Sequence, residues 1–251
     1  MHSSVSQFQL DGFYVLKDCF NAQECEAWNE QVLNAIEQSA TDGRLKAQVA
    51  GQNVTYGSRN LLAIFPQVKQ LLAKPAVDFF CREMLGSSFG VVRGLFFDKP
   101  PGLSWSLPWH QDLTIAVQEH GSLVNESIDG FCKPTVKAGV CHLEAPTWLL
   151  EQMLTVRIHL DAMNHLNGPV LVRKGSHLGG KHADQGESSD FVEIEVQCQS
   201  GSAMFMRPLL SHSSIPSLPD SILHRRTIHL ELSAVAELPF GMRWHTYLPI
   251  G

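Results

Sequence analysis

Two stretches within the first 90 residues place apolar side chains at helical spacing. The first starts after Asn21, which stands three residues before Glu24, as in a helix-capping box. Its apolar positions are Cys25, Trp28, Val32 and Ile36. The second covers residues 66–86, with an interruption at Pro75 and a glycine at its end. Because only the preceding "LDGFYVLKD" alternates as a strand does, the pattern predicts that residues 1–89 are mostly helical.

From residue 90 onward the pattern is that of strands. Short runs rich in Val, Ile, Leu and Phe, such as "GLFFDK", "TVRIHLD" and "TIHLEL", are separated by Gly, Pro, Ser and Asn. The connection over residues 118–151 is too long for an ordinary turn, and we expect it to form a lid loop. The chain is therefore predicted to be a single domain, 1–251, with a mainly β sandwich or barrel core over 90–251 and a helical flank.

The composition excludes some classes of function. The 251 residues are 44% hydrophobic and 18% charged, with a net charge of −6, and the pI is near 6.0. This acidity argues against nucleic acid or an anionic membrane as the main partner. The sequence has no apolar run of about 18 residues, no apolar h-region directly after Met1 and no CxxC pair among its six cysteines. It predicts a cytoplasmic protein that acts on a small molecule, and it leaves the oligomeric state open.

The stretch "SLPWHQDLTIAV" places two metal-binding side chains in an apolar, strand-like run. His110 and Asp112 are two residues apart, so a strand would direct both side chains to one face. Burying them is unfavourable unless they are paired or bind an ion. Two histidines and one carboxylate on one triangular face bind non-haem Fe(II). A His-x-Asp triplet also occurs by chance in proteins, with its histidine and aspartate forming a structural hydrogen-bonded pair. The triplet alone therefore does not identify a metal site.

Four segments in order resemble the phytanoyl-CoA dioxygenase (PhyH) family of Fe(II)/2-oxoglutarate-dependent oxygenases. They are "DGFYVLKDCFNAQEC", "RGLFFDKPPGLSWSLPWHQDLTIAV", "VRIHLDAMNHLNGPVLVRKGSH" and "RPLLSHSS…HRRTIHLEL". The chain departs from the family in having "RKGSH" where Pro-Gly-Ser-His is usual, and the 118–151 segment follows only some members. The resemblance implies a double-stranded β-helix (jelly-roll, cupin-like) core with the N-terminal helices packed on one sheet. It also implies Fe(II), 2-oxoglutarate as cosubstrate and O2, with His212 as the third metal ligand beside His110 and Asp112.

The family places an arginine about a dozen residues after this distal histidine, to hold the far carboxylate of 2-oxoglutarate. A buried dicarboxylate suits a permanent, planar, bidentate cation, which guanidinium supplies and lysine does not. Arg225 and Arg226 both stand near the expected offset. Alternation puts Arg225 on a polar face with Thr227 and His229, and that face should line the cavity. We therefore predict that Arg225 binds the cosubstrate.

Three further residues are candidates for the site. Ser214 lies two residues after His212, at a position where relatives contact the cosubstrate. Arg157 and His159 are polar positions between apolar ones in "TVRIHLD", where they could orient substrate or cosubstrate. A salt bridge to Asp161 or another neighbour explains these two residues equally well.

Together these features predict an Fe(II)/2-oxoglutarate-dependent dioxygenase that hydroxylates an unactivated C–H bond of a small organic substrate and releases succinate and CO2. Related halogenases have a small residue where this chain has Asp112, so hydroxylation is favoured over halogenation. The alternative is a non-oxygenase metal-binding barrel of the cupin type, an isomerase or a small-ligand-binding protein, because such sites also accept other metals. The identity of the substrate is left open.

Overall fold

The structure, a computed structural model, describes residues 2–39, 44–49, 51–119, 127–182 and 190–251. The helices in these ranges are α1 (His2–Asp11), α2 (Ala22–Gln38), α3 (Leu61–Ile64), α4 (Pro75–Leu85) and α5 (Thr147–Leu150), with 3-10 helices at Pro66–Ala73 and Ser176–Gly179. Among the described residues, no helix is both long enough and apolar enough to cross a membrane.

The strands form two main antiparallel sheets. They are β1 (Phe13–Leu16), β2 (Arg44–Val49), β3 (Gln52–Ser58), β4 (Phe89–Asp98), β5 (Leu107–His110), β6 (Thr114–Val117), β7 (Cys132–Lys137), β8 (Val140–Glu144), β9 (Met153–His159), β10 (Val170–Arg173), β11 (Glu193–Val196), β12 (Ala203–Met206), β13 (His212–Ser214), β14 (Arg226–Ser233) and β15 (Leu248–Ile250). The major sheet has the order β1-β12-β9-β14-β4-β3-β2, with β15 beside β4, and the minor sheet has the order β11-β10-β13-β5.

Alternation along the central strands of the major sheet separates two cores. Leu154, Val156 and Ile158 of β9 pack in one cluster with the apolar faces of α2 and α4. Met204 and Met206 of β12 lie on the opposite face and pack against the minor sheet. The predicted mainly β fold, a double-stranded β-helix with helices packed on one sheet, is confirmed.

The N-terminal flank contains a β-hairpin that was not predicted. Strands β2 and β3 pair with each other, and β3 extends the major sheet by pairing with β4. The hairpin lies within the segment 1–89, which was predicted to be mostly helical. The strand "RLKAQV" alternates polar and apolar residues, a strand signal that was not used, whereas "QNVTYGS" is mostly polar and only partly buried.

The connection predicted as a lid loop, 118–151, also contains regular structure. Strands β7 and β8 form a hairpin and pair with β6 in a third sheet. Ala138 and Gly139 connect them, and both have positive φ, as the two-residue turn of a tight hairpin requires. Residues 120–126 lie outside the described ranges. Whether this segment closes over the site remains a prediction.

The predicted capping box at the start of α2 is confirmed, and it gives a stability prediction. Glu24 N donates to Asn21 Oδ1 at 2.9 Å, and Asn21 N donates to Glu24 Oε2 at 2.9 Å. Asn21→Ala leaves backbone donors of the first turn unsatisfied, so the free energy of unfolding should fall by about 1 kcal/mol in urea titration. Asn34→Ala, exposed within the same helix, is the control, and alanine's higher helix propensity should leave stability unchanged or slightly raised. Equal losses in both variants would contradict the capping role.

Candidate active site

The two predicted histidine ligands lie opposite each other on neighbouring strands. His110 ends β5 and His212 begins β13, and the two residues are direct partners in the antiparallel register. Opposed residues of an antiparallel pair project to the same face, and the two imidazole rings have their centroids 4.2 Å apart. The pairing of β5 with β13 therefore brings together two histidines that are distant in sequence.

Asp112 reaches the same place by a route other than strand alternation. The stretch "HQDLTIAV" was read as one strand, and this reading was wrong, because β5 ends at His110 and β6 belongs to another sheet. Between them, the Gln111 side chain donates to the carbonyl groups of Leu209, at 2.6 Å, and Gly180, at 2.8 Å. Asp112 N donates to Pro208 O at 2.9 Å. These bonds fix the crossing between the sheets and present the Asp112 carboxylate beside the histidines.

The nitrogen and oxygen atoms of the three side chains converge. One possible ligand atom from each of His110, Asp112 and His212 lies within 4.8 Å of the other two. Nε2 of His110 is 3.9 Å from Asp112 Oδ1, and Nε2 of His212 is 3.7 Å from Oδ2. The Nδ1 atoms donate to backbone carbonyl groups at residue 108, at 2.8 Å, and residue 210, at 2.9 Å. Carbonyl oxygen can only accept, so the neutral imidazoles keep the Nε2 lone pairs free for a ligand.

The protonation states of the site suit a divalent cation. Burial lowers the pKa of His212 to about 4, although Asp112 opposes the shift. Burial would raise the pKa of Asp112, but the adjacent His212, His229 and His110 outweigh it and hold this pKa at about 2. Among the described residues, buried Asp112 Oδ2 has no hydrogen-bond partner. A buried carboxylate oxygen with no hydrogen-bond donor beside two free imidazole nitrogens fits a metal ion.

A cavity of about 380 Å³ opens onto the three side chains. This volume lies in the range typical of sites for small molecules. Its wall includes all three candidate ligands together with Arg225 and Ser214. The cavity therefore offers space beside the metal for a cosubstrate and a compact substrate.

Arg225 and Arg226 have different surroundings. Arg226 forms a bidentate ion pair with Asp161, at 2.6 Å to each carboxylate oxygen. Arg225 lines the cavity, is buried and donates through one terminal nitrogen to Gly168 O at 2.5 Å. Its Nε has no partner among the described residues. Burial and the neighbouring Arg157 lower the pKa of Arg225 to about 9, although Asp98 opposes the shift. Among the described residues the guanidinium forms no ion pair, so a buried cation faces the cavity.

The structure separates the other predicted site residues. Ser214 and Arg157 both line the cavity, and Arg157 Nε is buried with no partner among the described residues. His159 is fully buried next to Arg157 and Arg225 and does not contribute to the cavity wall. The salt bridge to Asp161, which was the alternative role for Arg157 and His159, is formed by Arg226 instead. Orientation of substrate or cosubstrate by Arg157 and His159 remains a prediction.

Lys99 is a site residue that the sequence reasoning missed. Its side chain is fully buried, and its Nζ lies 2.8 Å from Ile215 O and 3.5 Å from Ser214 Oγ. Burial, then Arg225 and Arg157, lower the pKa of Lys99 to about 7. The only signal in the sequence was a lysine directly after the strand-like run "GLFFD". Its backbone pairing with Arg225 is seen only in the structure.

His229 and Glu231 also line the cavity. Alternation placed His229 on the face towards the cavity, but neither residue was predicted to be a functional residue of the site. Glu231 accepts from Arg93 at 3.0 Å and lies 3.7 Å from His229 Nε2. Both residues share the inner face of β14 with Thr227, so the alternation that selected Arg225 would also have identified them.

Two histidines and one carboxylate around an open cavity in a double-stranded β-helix are the arrangement found in non-haem Fe(II) oxygenases. The model of the phytanoyl-CoA dioxygenase (PhyH) family matches residues 8–222. The chain therefore belongs to the PhyH family of Fe(II)/2-oxoglutarate-dependent oxygenases, as the ordered sequence segments predicted. A comparison with curated proteins found no match.

Several solved structures share the fold. EctD from S. alaskensis, with 2-oxoglutarate and 5-hydroxyectoine, is 19% identical, with a TM-score of 0.68 over 96% of this chain and 79% of that chain. The epimerase SnoN, with Fe3+, alpha ketoglutarate and nogalamycin RO, is 13% identical, with a TM-score of 0.63 over 100% and 95% of the two chains. EvdMO1 is 18% identical, with a TM-score of 0.62 over 92% of this chain and 49% of that chain, so this chain spans about half of EvdMO1. At these identities the comparison shows a shared fold.

Proposed function

We propose that the protein is an Fe(II)/2-oxoglutarate-dependent dioxygenase that hydroxylates an unactivated C–H bond of a small organic substrate and releases succinate and CO2. One observation carries the proposal. The side chains of His110, Asp112 and His212 converge at the wall of a cavity that also contains Arg225, a buried cation that forms no ion pair with any described residue. This combination provides a ligand set for the metal and a counter-ion for a dicarboxylate.

In this proposal, Nε2 of both histidines and the Asp112 carboxylate hold the metal. Bound Fe(II), with 2-oxoglutarate and O2, supplies the oxidising power to break a C–H bond. The protein contributes orientation, through the carbonyl groups that fix each imidazole. With a carboxylate already among the three protein ligands, the site favours hydroxylation over halogenation.

Arg225 is proposed to bind the far carboxylate of 2-oxoglutarate, with Ser214 beside it as a hydroxyl donor. The guanidinium is buried, and a dicarboxylate would give it the direct ion pair that it does not form with the described residues, where Asp98 offsets only part of its charge. Lys99 adds positive charge behind this position, because its Nζ lies between Ser214 Oγ and Ile215 O. The other buried guanidinium, Arg157, is proposed to orient the cosubstrate or substrate from the cavity wall.

The proposal is tested by the products of 2-oxoglutarate turnover. Purified protein with Fe(II), ascorbate and 2-oxoglutarate is expected to form succinate in air, slowly without substrate and faster with a suitable one. The control replaces Fe(II) by Zn²⁺, which binds similar ligands but has no redox chemistry. Substrate products are analysed by mass spectrometry and by NMR, because the name of SnoN describes an epimerase. Absence of Fe(II)-dependent succinate would favour the alternative, a metal-binding barrel of the cupin type without oxygenase activity.

A further inference from the structure

A second group of cations lines the same cavity, apart from Arg225 and Arg157. It consists of Arg59, which follows β3, Arg93 on β4, and Lys137 at the end of β7. Arg59 and Arg93 also share the wall of a small adjoining cavity, so the two residues lie close together. Burial lowers the pKa of Lys137, and the charges of Arg93 and Arg59 lower it further. The three cations therefore act on one region of the cavity.

The cavity wall carries more positive than negative charge. Its cations are Arg59, Arg93, Lys137, Arg157 and Arg225, and its carboxylates are Asp112 and Glu231. A divalent metal and doubly charged 2-oxoglutarate would offset each other, so they leave this excess in place. Glu231 is bonded to Arg93, and within the described part of the chain neither Arg59 nor Lys137 forms an ion pair of its own, although Glu231 and Asp112 lie near enough to raise the pKa of Lys137.

The two remaining cations are held at the cavity by contacts between distant segments. Asn60, adjacent to Arg59, donates through Nδ2 to Ala138 O, adjacent to Lys137, at 3.1 Å. Lys137 Nζ donates to Thr114 Oγ1 at 3.0 Å, a neutral partner, so its charge is offset only in part, by the nearby Glu231 and Asp112. Arg59 is half-buried, and burial and then Arg93 lower its pKa. Holding like charges together in this way is unfavourable unless an anion joins them.

The rest of the wall near the β2–β3 hairpin is apolar or aromatic. The rings of Tyr56 and Trp105 are 5.0 Å apart, and Leu45, Leu107 and Phe97 also line the cavity. This surface suits the hydrocarbon or aromatic body of a ligand, whereas the cations suit an oxyanion at one of its ends.

We propose that the substrate carries an oxyanion, a carboxylate or a phosphate, bound by Arg59 and Lys137, on an apolar or aromatic body that packs along Tyr56 and Trp105. The assignment of a substrate to this cavity rests on the proposed oxygenase function. In this arrangement the anion is bound at one end of the cavity and the C–H bond to be oxidised is directed towards His110, Asp112 and His212. Arg59 and Lys137 are then specificity-determining residues.

The test measures binding of matched acid and neutral probes to protein loaded with Fe(II) and saturating 2-oxoglutarate without O2, so that the Arg225 position is already filled. The probes are octanoate with octanamide, 3-phenylpropanoate with 3-phenylpropanamide, and hexyl phosphate with 1-hexanol, measured by calorimetry. At least one acid is expected to bind about tenfold more tightly than its neutral counterpart. The pair that shows the preference identifies the oxyanion as carboxylate or phosphate.

Variants assign the preference to the proposed residues. Arg59→Gln and Lys137→Gln are each expected to weaken binding of the preferred acid by about tenfold and to leave the neutral probe nearly unchanged. Arg59→Lys, which keeps the charge, should retain most of the preference, whereas a merely structural role would not be rescued in this way. Arg243→Gln removes an exposed arginine outside the cavity wall and serves as the matched control.

The outcomes separate this inference from the proposed function. If no acid binds more tightly than its neutral counterpart, or if Arg59→Gln and Lys137→Gln leave the preference intact, the inference is overturned. Fe(II)-dependent succinate formation without substrate would still support the oxygenase. Acid binding that depends on Arg59 and Lys137 without any succinate formation would support the anion site and contradict the oxygenase.

Discussion

Replacing Asp112 with alanine is expected to lower both Fe(II) affinity and the rate of succinate formation by at least about a hundredfold. Loss of a residue that only orients a metal ligand typically costs ten- to a hundredfold, and loss of a ligand should cost at least the upper value. Asp112 is also the one anionic member of the three-residue group, so its removal takes away the charge that neutralises the metal. Fe(II) affinity is measured by anaerobic titration, and turnover by succinate formation at saturating 2-oxoglutarate.

Glu231→Gln provides the matched control for Asp112→Ala. This substitution removes another carboxylate from the same cavity, but Glu231 accepts from Arg93 and is not part of the candidate metal site. Fe(II) affinity should therefore be nearly unchanged in Glu231→Gln. If Asp112→Ala retains full activity and iron binding, Asp112 does not bind the metal. Equal losses of Fe(II) affinity in both variants would attribute the effect to the charge of the cavity in general.

The elements that the sequence predicted well depend on local physical chemistry. The start of α2 was recognisable because the capping box needs only two residues three positions apart. Pro75 correctly marked the restart of the second helical segment at α4, because proline is tolerated in the first turn of a helix and disfavoured in its interior. The alternation in "RRTIHLEL" was informative because β14 is central, with one face towards the helices and the other towards the cavity.

The elements that were missed depend on contacts between distant segments. The β2–β3 hairpin has strands that are only partly buried, and the major sheet stabilises it through the pairing of β3 with β4. The β7–β8 hairpin is likewise completed by β6. Neither partner can be identified from a window of adjacent residues. The strand that contains His110 was predicted to be too long, and the cause is again a contact between distant segments. The chain leaves the sheet after His110 because Gln111 and Asp112 donate to the carbonyl groups of residues 180, 208 and 209.

The difference between local sequence signals and contacts between distant segments also applies to the candidate site. His110, Asp112 and His212 could be proposed from a resemblance whose segments occur in order, and the pairing of β5 with β13 brings them together. Arg59 and Lys137 carried no local signal, since a single cation in a polar segment is usually exposed to solvent. Their relation becomes visible only through the bond from Asn60 to Ala138, which joins segments far apart in sequence. Metal-ligand patterns are thus more accessible from sequence than the residues that select a substrate.

Replacing Arg225 with methionine is expected to raise the KM for 2-oxoglutarate by about thirtyfold or more. Truncating one partner of a buried charge pair costs about 2 kcal/mol at least, which corresponds to this factor. Methionine keeps much of the apolar volume but removes both the charge and the paired donors. The metal ligands are unaltered, so Fe(II) affinity should change little. Initial rates of succinate formation over a range of 2-oxoglutarate concentrations measure the effect.

Arg226→Met is the matched control, because the two arginines are adjacent and have different partners. Arg226 is bonded to Asp161, a residue outside the cavity wall, so its loss should lower stability and leave the KM for 2-oxoglutarate nearly unchanged. Arg225→Lys retains the charge without the planar fork and should recover only part of the affinity. A larger increase in KM for Arg226→Met than for Arg225→Met would assign the binding of 2-oxoglutarate to Arg226. The charge of the buried Arg225 guanidinium would then be balanced by a group other than the cosubstrate.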